Sequence, residues 1–344
     1  MTKRTVFFNH KGGVSKTTSV YNIGWMLAKK YKVLIVDADP QCNLSSLILR
    51  EDFDRYYTDE STKHQNIMDG VQVAFTARPF PIKAVNCFSP ASTPSLYLLA
   101  GHANLSEYDA ALTFAQTNNT TSLQNLPGAF SELIKLTEEK YDIDYTLIDL
   151  NPGLGAISQN LFLSAHTFVI PTNPDPFSLM AIDTLKKVLP RWALWKRNSI
   201  QTFAESAYPL LPEEPKFIGS LIQLFNTHSG NPAHSYTDNI PAIKSKIQGE
   251  FFSSIAQAGM ALDPKEYIDS LSHDGYCLSE IPDFLGLLPK SYQFGVPVFE
   301  LSDSEINEGN ESKLILDELI YKRDVLKQQF QVLGEKLIEL LSYA

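Results

Sequence analysis

The sequence predicts a doubly wound α/β fold: a mostly parallel sheet with helices on both faces, a helical insertion and a long C-terminal helix. Three observations predict it. Short β-rich runs are apolar through their centres, as strands buried on both faces of a parallel sheet are. Helical stretches lie between these runs, the alternation that gives βαβ units. A glycine-containing turn separates the first strand from the first helix, and two parallel strands joined through a helix form a right-handed unit.

In chain order, residues 5–9 (TVFFN) form the first strand and residues 10–15 the turn. Residues 17–31 form a helix, with Val20, Ile23 and Leu27 on one face and Lys29 and Lys30 near its C-terminal end, where the helix dipole favours cations. Residues 32–37 form the second strand. Residues 51–63 are polar and read as loop, and the four prolines within 79–94 mark an irregular crossing. Further strands fall at 145–150, 167–171 and 217–224, with PLLPEEP at 209–215 as a breaker. Residues 227–283 read as a mostly helical insertion into a core domain of residues 1–300, followed by a helical extension over 301–344. In that extension Leu316, Leu319, Leu326, Phe330, Leu333, Leu337 and Leu340 keep helical spacing, broken only by Arg323. Such a helix either docks on the domain or offers a coiled-coil seam.

Composition narrows the classes. Of the 344 residues 44% are hydrophobic and 20% charged, which excludes a disordered chain. The three cysteines (Cys42, Cys87, Cys277) form no CxxC pair, which excludes a zinc ribbon or disulfide scaffold and suits a reducing cytoplasm. A net charge of -10 argues against a broadly basic surface but leaves room for a local patch. No apolar run is long enough to cross a membrane, so no membrane partner is expected.

The residues that carry chemistry begin with His10-Lys11-Gly12-Gly13-Val14-Ser15-Lys16-Thr17-Thr18. A loop between strand and helix aims backbone N–H groups at anionic oxygens, and the helix N-terminus adds partial positive charge. In this setting Lys16 contacts the β- and γ-phosphates of a nucleotide, Thr17 ligates Mg²⁺ and Thr18 holds the α-phosphate. The bland reading is a Gly-Gly turn with solvated lysines. The pattern GxxxxGK[ST] fails, because His10 and Ser15 occupy the outer glycine positions. A positive φ at Ser15 costs on the order of 1 kcal/mol. Asp37 and Asp39, two apart at a strand end, are expected to face the same crevice at the sheet's C-terminal edge.

KGGxxK[ST]T at Lys11–Thr18, VLIVDADPQ from Val33 to Gln41 and DYTLIDLNPGLG from Asp144 to Gly155 together resemble the ParA/MinD family of deviant Walker A P-loop ATPases, most of all its ParA-type partition members. Softer likenesses fall at 96–102, 170–177 and 288–291, so the resemblance covers most of 1–226 and 284–300. It implies an ATPase of slow intrinsic turnover whose homodimer is joined by ATP, with Lys11 reaching the partner's phosphates. It implies that Asp37 supports the metal and phosphate side, that Asp39 orients the attacking water, and that Asp149 holds Mg²⁺. Asn151 and Gly153 depart from the family's switch turn. Asn226 and Pro289 stand where family members read the base. Partition or positioning of DNA or another cargo follows as the function, with an activating or adaptor protein among the partners. Non-specific DNA binding is offered by Lys186, Lys187, Arg191, Lys196 and Arg197, opposed nearby by Asp183 and interleaved with Trp192 and Trp195; a packed, solvated helix explains them equally. Lys290 and Gln293 stand where many ParA proteins carry DNA-contacting arginines. A switch in a multi-protein system such as phage defence shares the same core. A MinD-like membrane helix is disfavoured by Glu335 and Glu339 beside Lys336, which make the polar face mixed rather than basic.

Overall fold

The computed structural model describes residues 2–118, 123–225, 227–228, 231–232, 236, 238–309 and 312–344. Its centre is a seven-stranded, all-parallel sheet ordered β3-β2-β4-β1-β5-β6-β9. The strands are β1 (Lys3–Phe7), β2 (Val33–Ala38), β3 (Leu96–Leu99), β4 (Tyr145–Leu150), β5 (Thr167–Thr172), β6 (Lys216–Gln223) and β9 (Cys277–Ile281); a two-residue pair, β7 (Thr227–His228) and β8 (Asn231–Pro232), lies outside the sheet. Every residue of β2 and β5 is buried, the double coverage their apolar sequences imply. The order places β1, which feeds the glycine turn, between β4 and β5, so both carboxyl ends flank the turn.

The helices before the middle of the chain are α1 (Lys16–Ala28), α2 (Asn43–Leu49), α3 (Phe53–Thr58), α4 (Ile67–Phe75), α5 (Asp109–Thr117), α6 (Leu126–Tyr141) and α7 (Ala156–Leu163). Then come α8 (Pro176–Ser199), α9 (Asn239–Lys246), α10 (Phe252–Gln257), α11 (Asp269–His273), α12 (Leu287–Phe294), α13 (Asp303–Ile306) and α14 (Lys313–Leu341). Helix α1 is buried nearly all round. One side lies so close to the sheet that a Cβ at Gly24 would stand 3.0 Å from the Ile35 side chain. The other side is covered by α14, which approaches at Gly334, where a Cβ would be 3.4 Å from Leu27.

Helix α14 therefore docks. Leu319, Leu326, Phe330, Leu333, Leu337 and Leu340 are buried, and Phe330 meets the rings of Phe284 and Phe299. Its outer face leaves Leu314, Ile315, Tyr321 and Val332 exposed. Among the described residues no helix is long and apolar enough to cross a membrane.

Two expectations differ from the structure. Residues 51–63, read as loop, contain α3: Tyr56 is buried and Tyr57 donates its hydroxyl to the Gly101 carbonyl, so two aromatic anchors outweigh a polar composition. The segment read as a helical insertion also supplies β9, which pairs with β6 at the sheet edge. Its sequence, CLSEI, is polar at two of five positions, as suits an edge strand but hides it from an apolar-run criterion.

Candidate functional site

The turn after β1 is pinned by amide side chains from neighbouring strand ends. Asn9 accepts from the Lys11 backbone N–H at 3.0 Å and donates to the Pro171 carbonyl at 2.8 Å. Asn173, just past β5, donates to the Gly13 carbonyl at 2.9 Å. Gln223, ending β6, donates to the Val14 carbonyl at 3.3 Å while accepting from the Ser19 hydroxyl at 2.9 Å. Their role escaped the sequence reading; the available signal was an amide at or just past the carboxyl ends of β1, β5 and β6. Gly13 and Ser15 both have positive φ, 71° and 56°. Ser15 thus carries the strained conformation a glycine holds freely. A Cβ at Gly12 or Gly13 would meet nothing within 4 Å, so this stretch of loop borders open space.

Lys16 opens α1 and is buried. Its ammonium donates to the Asn9 carbonyl at 3.3 Å. Burial lowers its pKa, against the opposing pull of Asp149 and Asp39. Beside it the Thr17 hydroxyl donates to Asp149 Oδ2 at 2.6 Å. Asp149 is 1% exposed, and its other oxygen is buried with no partner. Burial, then the neighbouring Asp37, pushes its pKa up to about 8. An unpartnered hard oxygen, a hydroxyl oxygen at hydrogen-bond distance from the carboxylate and a carboxylate forced towards neutrality are what a small divalent cation relieves. Thr17 and Asp149 thus fit Mg²⁺.

Asp37 has a different set of partners. It pairs in register with Asp149, but its Oδ2 accepts from the Ser45 N–H at 2.8 Å and the Ser45 hydroxyl at 2.7 Å, and its Oδ1 accepts from the Asp39 N–H at 3.2 Å. Both oxygens are committed to fixing the turn between β2 and α2. The reason is that β2 ends at Ala38: Asp39 has left the strand, so the alternation that would aim both carboxylates together no longer applies. Burial raises the Asp37 pKa to about 6. Asp39 does line the crevice and accepts from the Gln41 N–H at 2.9 Å.

The crevice is a cavity of about 510 Å³ lined by residues 12–18, by Asp39, Gln41, Asn43, Ser46 and Leu47, and by Pro152, Leu224 and Tyr292. Gly12, Gly13, Val14, Ser15, Lys16, Thr17 and Thr18 therefore all reach it. Pro289 does not: it lies inside α12, and one turn later Tyr292 faces the cavity instead, its hydroxyl 3.4 Å from that of Thr18. A helix presents successive residues about 100° apart, so the base-side position expected at Pro289 gives way to a different contact. Asn226 lies outside the described residues. Leu224, with φ 58°, is a bulky side chain held in the left-handed region at the cavity wall. In the departing switch turn, Asn151 accepts from the Gly153 N–H at 2.7 Å and from the Ser158 hydroxyl at 2.8 Å, closing an Asx turn that sets Pro152 at the cavity.

Lys11 is not among the residues that line the cavity. Its ammonium meets Asp175 Oδ2 at 2.6 Å.

A family model described as an AAA domain matches residues 2–202, more than half of the chain. The virulence plasmid ParA family protein pGP5-D of Chlamydia psittaci is 27% identical over 187 residues, covering 54% of this chain and 62% of that protein. The chain belongs to the ParA/MinD family of P-loop ATPases. The chromosome-partitioning ATPase Soj of Treponema pallidum is 30% identical over 206 residues, covering 56% of this chain and 65% of Soj. The chain thus spans less than two thirds of either relative. The structure of pNOB8 ParA bound to nonspecific DNA superposes with a TM-score of 0.56 over 99% of each chain at 14% identity, a likeness of fold.

The candidate basic patch of this ParA/MinD-family chain is smaller than its sequence suggested. Lys196 is fully buried and donates to the carbonyls of Leu163, at 2.8 Å, and Glu213, so it cannot meet a phosphate. Lys186 is held by Glu250 and Asp183, and Arg197 by Glu214 and the Ala258 carbonyl. Trp192 packs on Phe8 and Phe162, and Trp195 donates to the Gln116 carbonyl. Lys187 and Arg191 remain exposed on α8.

Proposed function

We propose that this chain is a ParA-type ATPase that hydrolyses ATP slowly and uses an ATP-joined homodimer to partition or position DNA or another cargo. The observation that carries the reading is the Thr17–Asp149 contact beside buried Lys16 at the floor of a cavity large enough for a nucleotide. Lys16 neutralises the β- and γ-phosphates, and the N–H groups of residues 12–18 cradle them. Mg²⁺ held by Thr17 and Asp149 would supply the remaining charge neutralisation. Asp39, exposed to the same cavity, orients the attacking water. Lys11, on the open side of the loop, reaches the nucleotide of a second subunit and acts there as a finger in trans.

DNA enters this reading through Lys187 and Arg191. Two cations per subunit on an acidic chain give weak, salt-sensitive binding, doubled in a dimer.

The test is ATP turnover measured beside nucleotide affinity and molecular mass for Asp39→Ala. A group that acts in the transition state lowers kcat far more than affinity when removed. The variant is expected to bind ATP, to dimerise and to stay closed. Hydrolysis at the wild-type rate removes Asp39 from the reaction, and a monomer in saturating ATP removes the dimer.

A further inference from the structure

Asp175 divides its carboxylate between two tasks. Oδ1 accepts from the Ser178 N–H at 2.8 Å and caps the N-terminus of α8; Oδ2 holds the Lys11 ammonium at 2.6 Å. The backbone around this pair is fixed: Asn9 holds the Lys11 N–H, and Asn173, two residues before Asp175, holds the Gly13 carbonyl. Among the described residues the Lys11 ammonium has Asp175 as its one partner. The pair is half-buried, with side-chain exposures of 21% for Lys11 and 31% for Asp175. On the first turns of α8 that follow, Phe177 and Met180 are 69% and 66% exposed.

We propose that Asp175 is a positioning residue that parks Lys11 on its own subunit and so sets the threshold at which nucleotide draws the lysine outward to a second copy. The inference rests on the dimer reading above. Its physics is a competition between two anions for one ammonium. A half-exposed ion pair is weak, so a triphosphate outbids it, whereas water alone does not. Release leaves little strain behind, because the freed carboxylate still caps α8 and still faces the positive end of its dipole. The contact is therefore a reversible catch. Both lysines leave their catches in a two-fold dimer, so the effect of one contact enters the dimerisation constant squared. A pair of this exposure is worth about threefold, and two of them about tenfold.

Asp175→Asn separates the two tasks, because asparagine caps a helix as well as aspartate but forms no ion pair. Two measurements on the full chain test the proposal. Trace acetylation of the nucleotide-free protein, read by mass spectrometry at Lys11, is expected to run several-fold faster in Asp175→Asn than in wild type. Sedimentation with Mg²⁺ and a non-hydrolysable ATP analogue is expected to show dimers at about tenfold lower concentration in Asp175→Asn. That gain is expected to vanish in the Lys11→Ala background, where a purely structural effect of Asp175 would persist. Unchanged Lys11 labelling overturns the catch. Faster labelling with an unmoved dimer midpoint overturns its control of assembly. A wild-type chain that stays monomeric at every concentration overturns the dimer reading and the threshold with it, while the labelling still reports whether Asp175 holds Lys11.

Discussion

Asp37 and Asp149 are neighbours across two strands, yet their surroundings give them different work. Asp37 has three donors and no free oxygen, whereas Asp149 has one donor and a bare buried oxygen. A buried carboxylate with an orphan oxygen destabilises the nucleotide-free fold and becomes favourable only beside a cation. Asp149→Asn is therefore expected to raise the thermal midpoint of the nucleotide-free protein while abolishing the Mg²⁺-dependent shift on adding ATP; a lower midpoint in the absence of nucleotide contradicts this. Asp37→Asn is expected to lower the midpoint, since the carboxamide keeps one acceptor where two were used. Most residues that line the cavity were legible, because the glycine turn and the strand ends beside it are marked in the sequence. The division of labour was not, since it depends on where β2 stops and on Ser45, eight residues downstream. The same holds for Asn9, Asn173 and Gln223, whose hydrogen bonds join strands distant in sequence.

At the scale of elements, α8 shows how a charge pattern misleads. Lys196 reads as a cation on a basic stripe, but it stands on the buried face and ties the end of α7 to the loop before β6. Burial lowers its pKa from 10.5 to about 8. Between those values the unfolded chain binds the proton and the folded chain does not, so stability rises with pH across that window. The gap corresponds to about 3 kcal/mol. Denaturant titrations at pH 7.5, 9 and 10 are expected to show this rise in wild type and its loss in Lys196→Met; parallel curves would place the cost elsewhere. Helix α14 was legible as a helix, because its apolar spacing persists over many turns, but its partner was open until the structure set it against α1. Phe330→Ala is expected to cost about 3–5 kcal/mol, the range for emptying a buried aromatic site. A loss under 1 kcal/mol would mean that α14 is dispensable to the core.

At the scale of the whole molecule, α1 links the glycine turn at one end to α14 along its length, so the turn and the C-terminal helix bear on one element. The sheet order was predictable in class and not in detail, because β9 is too polar to announce itself. Under the proposed reading, electrostatics at this scale sets DNA binding. With Lys187 and Arg191 as the free cations of the original patch, a dimer offers about four phosphate contacts, for a logarithmic salt slope near −4. Arg191→Ala is expected to halve it, and a slope indifferent to both residues moves DNA to another face. The functional expectations, unlike those for Lys196 and Phe330, stand on the proposed phosphate loop. The most direct test is calorimetric titration of ATP with Mg²⁺ into wild type and Lys16→Ala. Saturable heat with the wild type and none with Lys16→Ala is the predicted result, and equal affinity in the two proteins would contradict the assignment of the site.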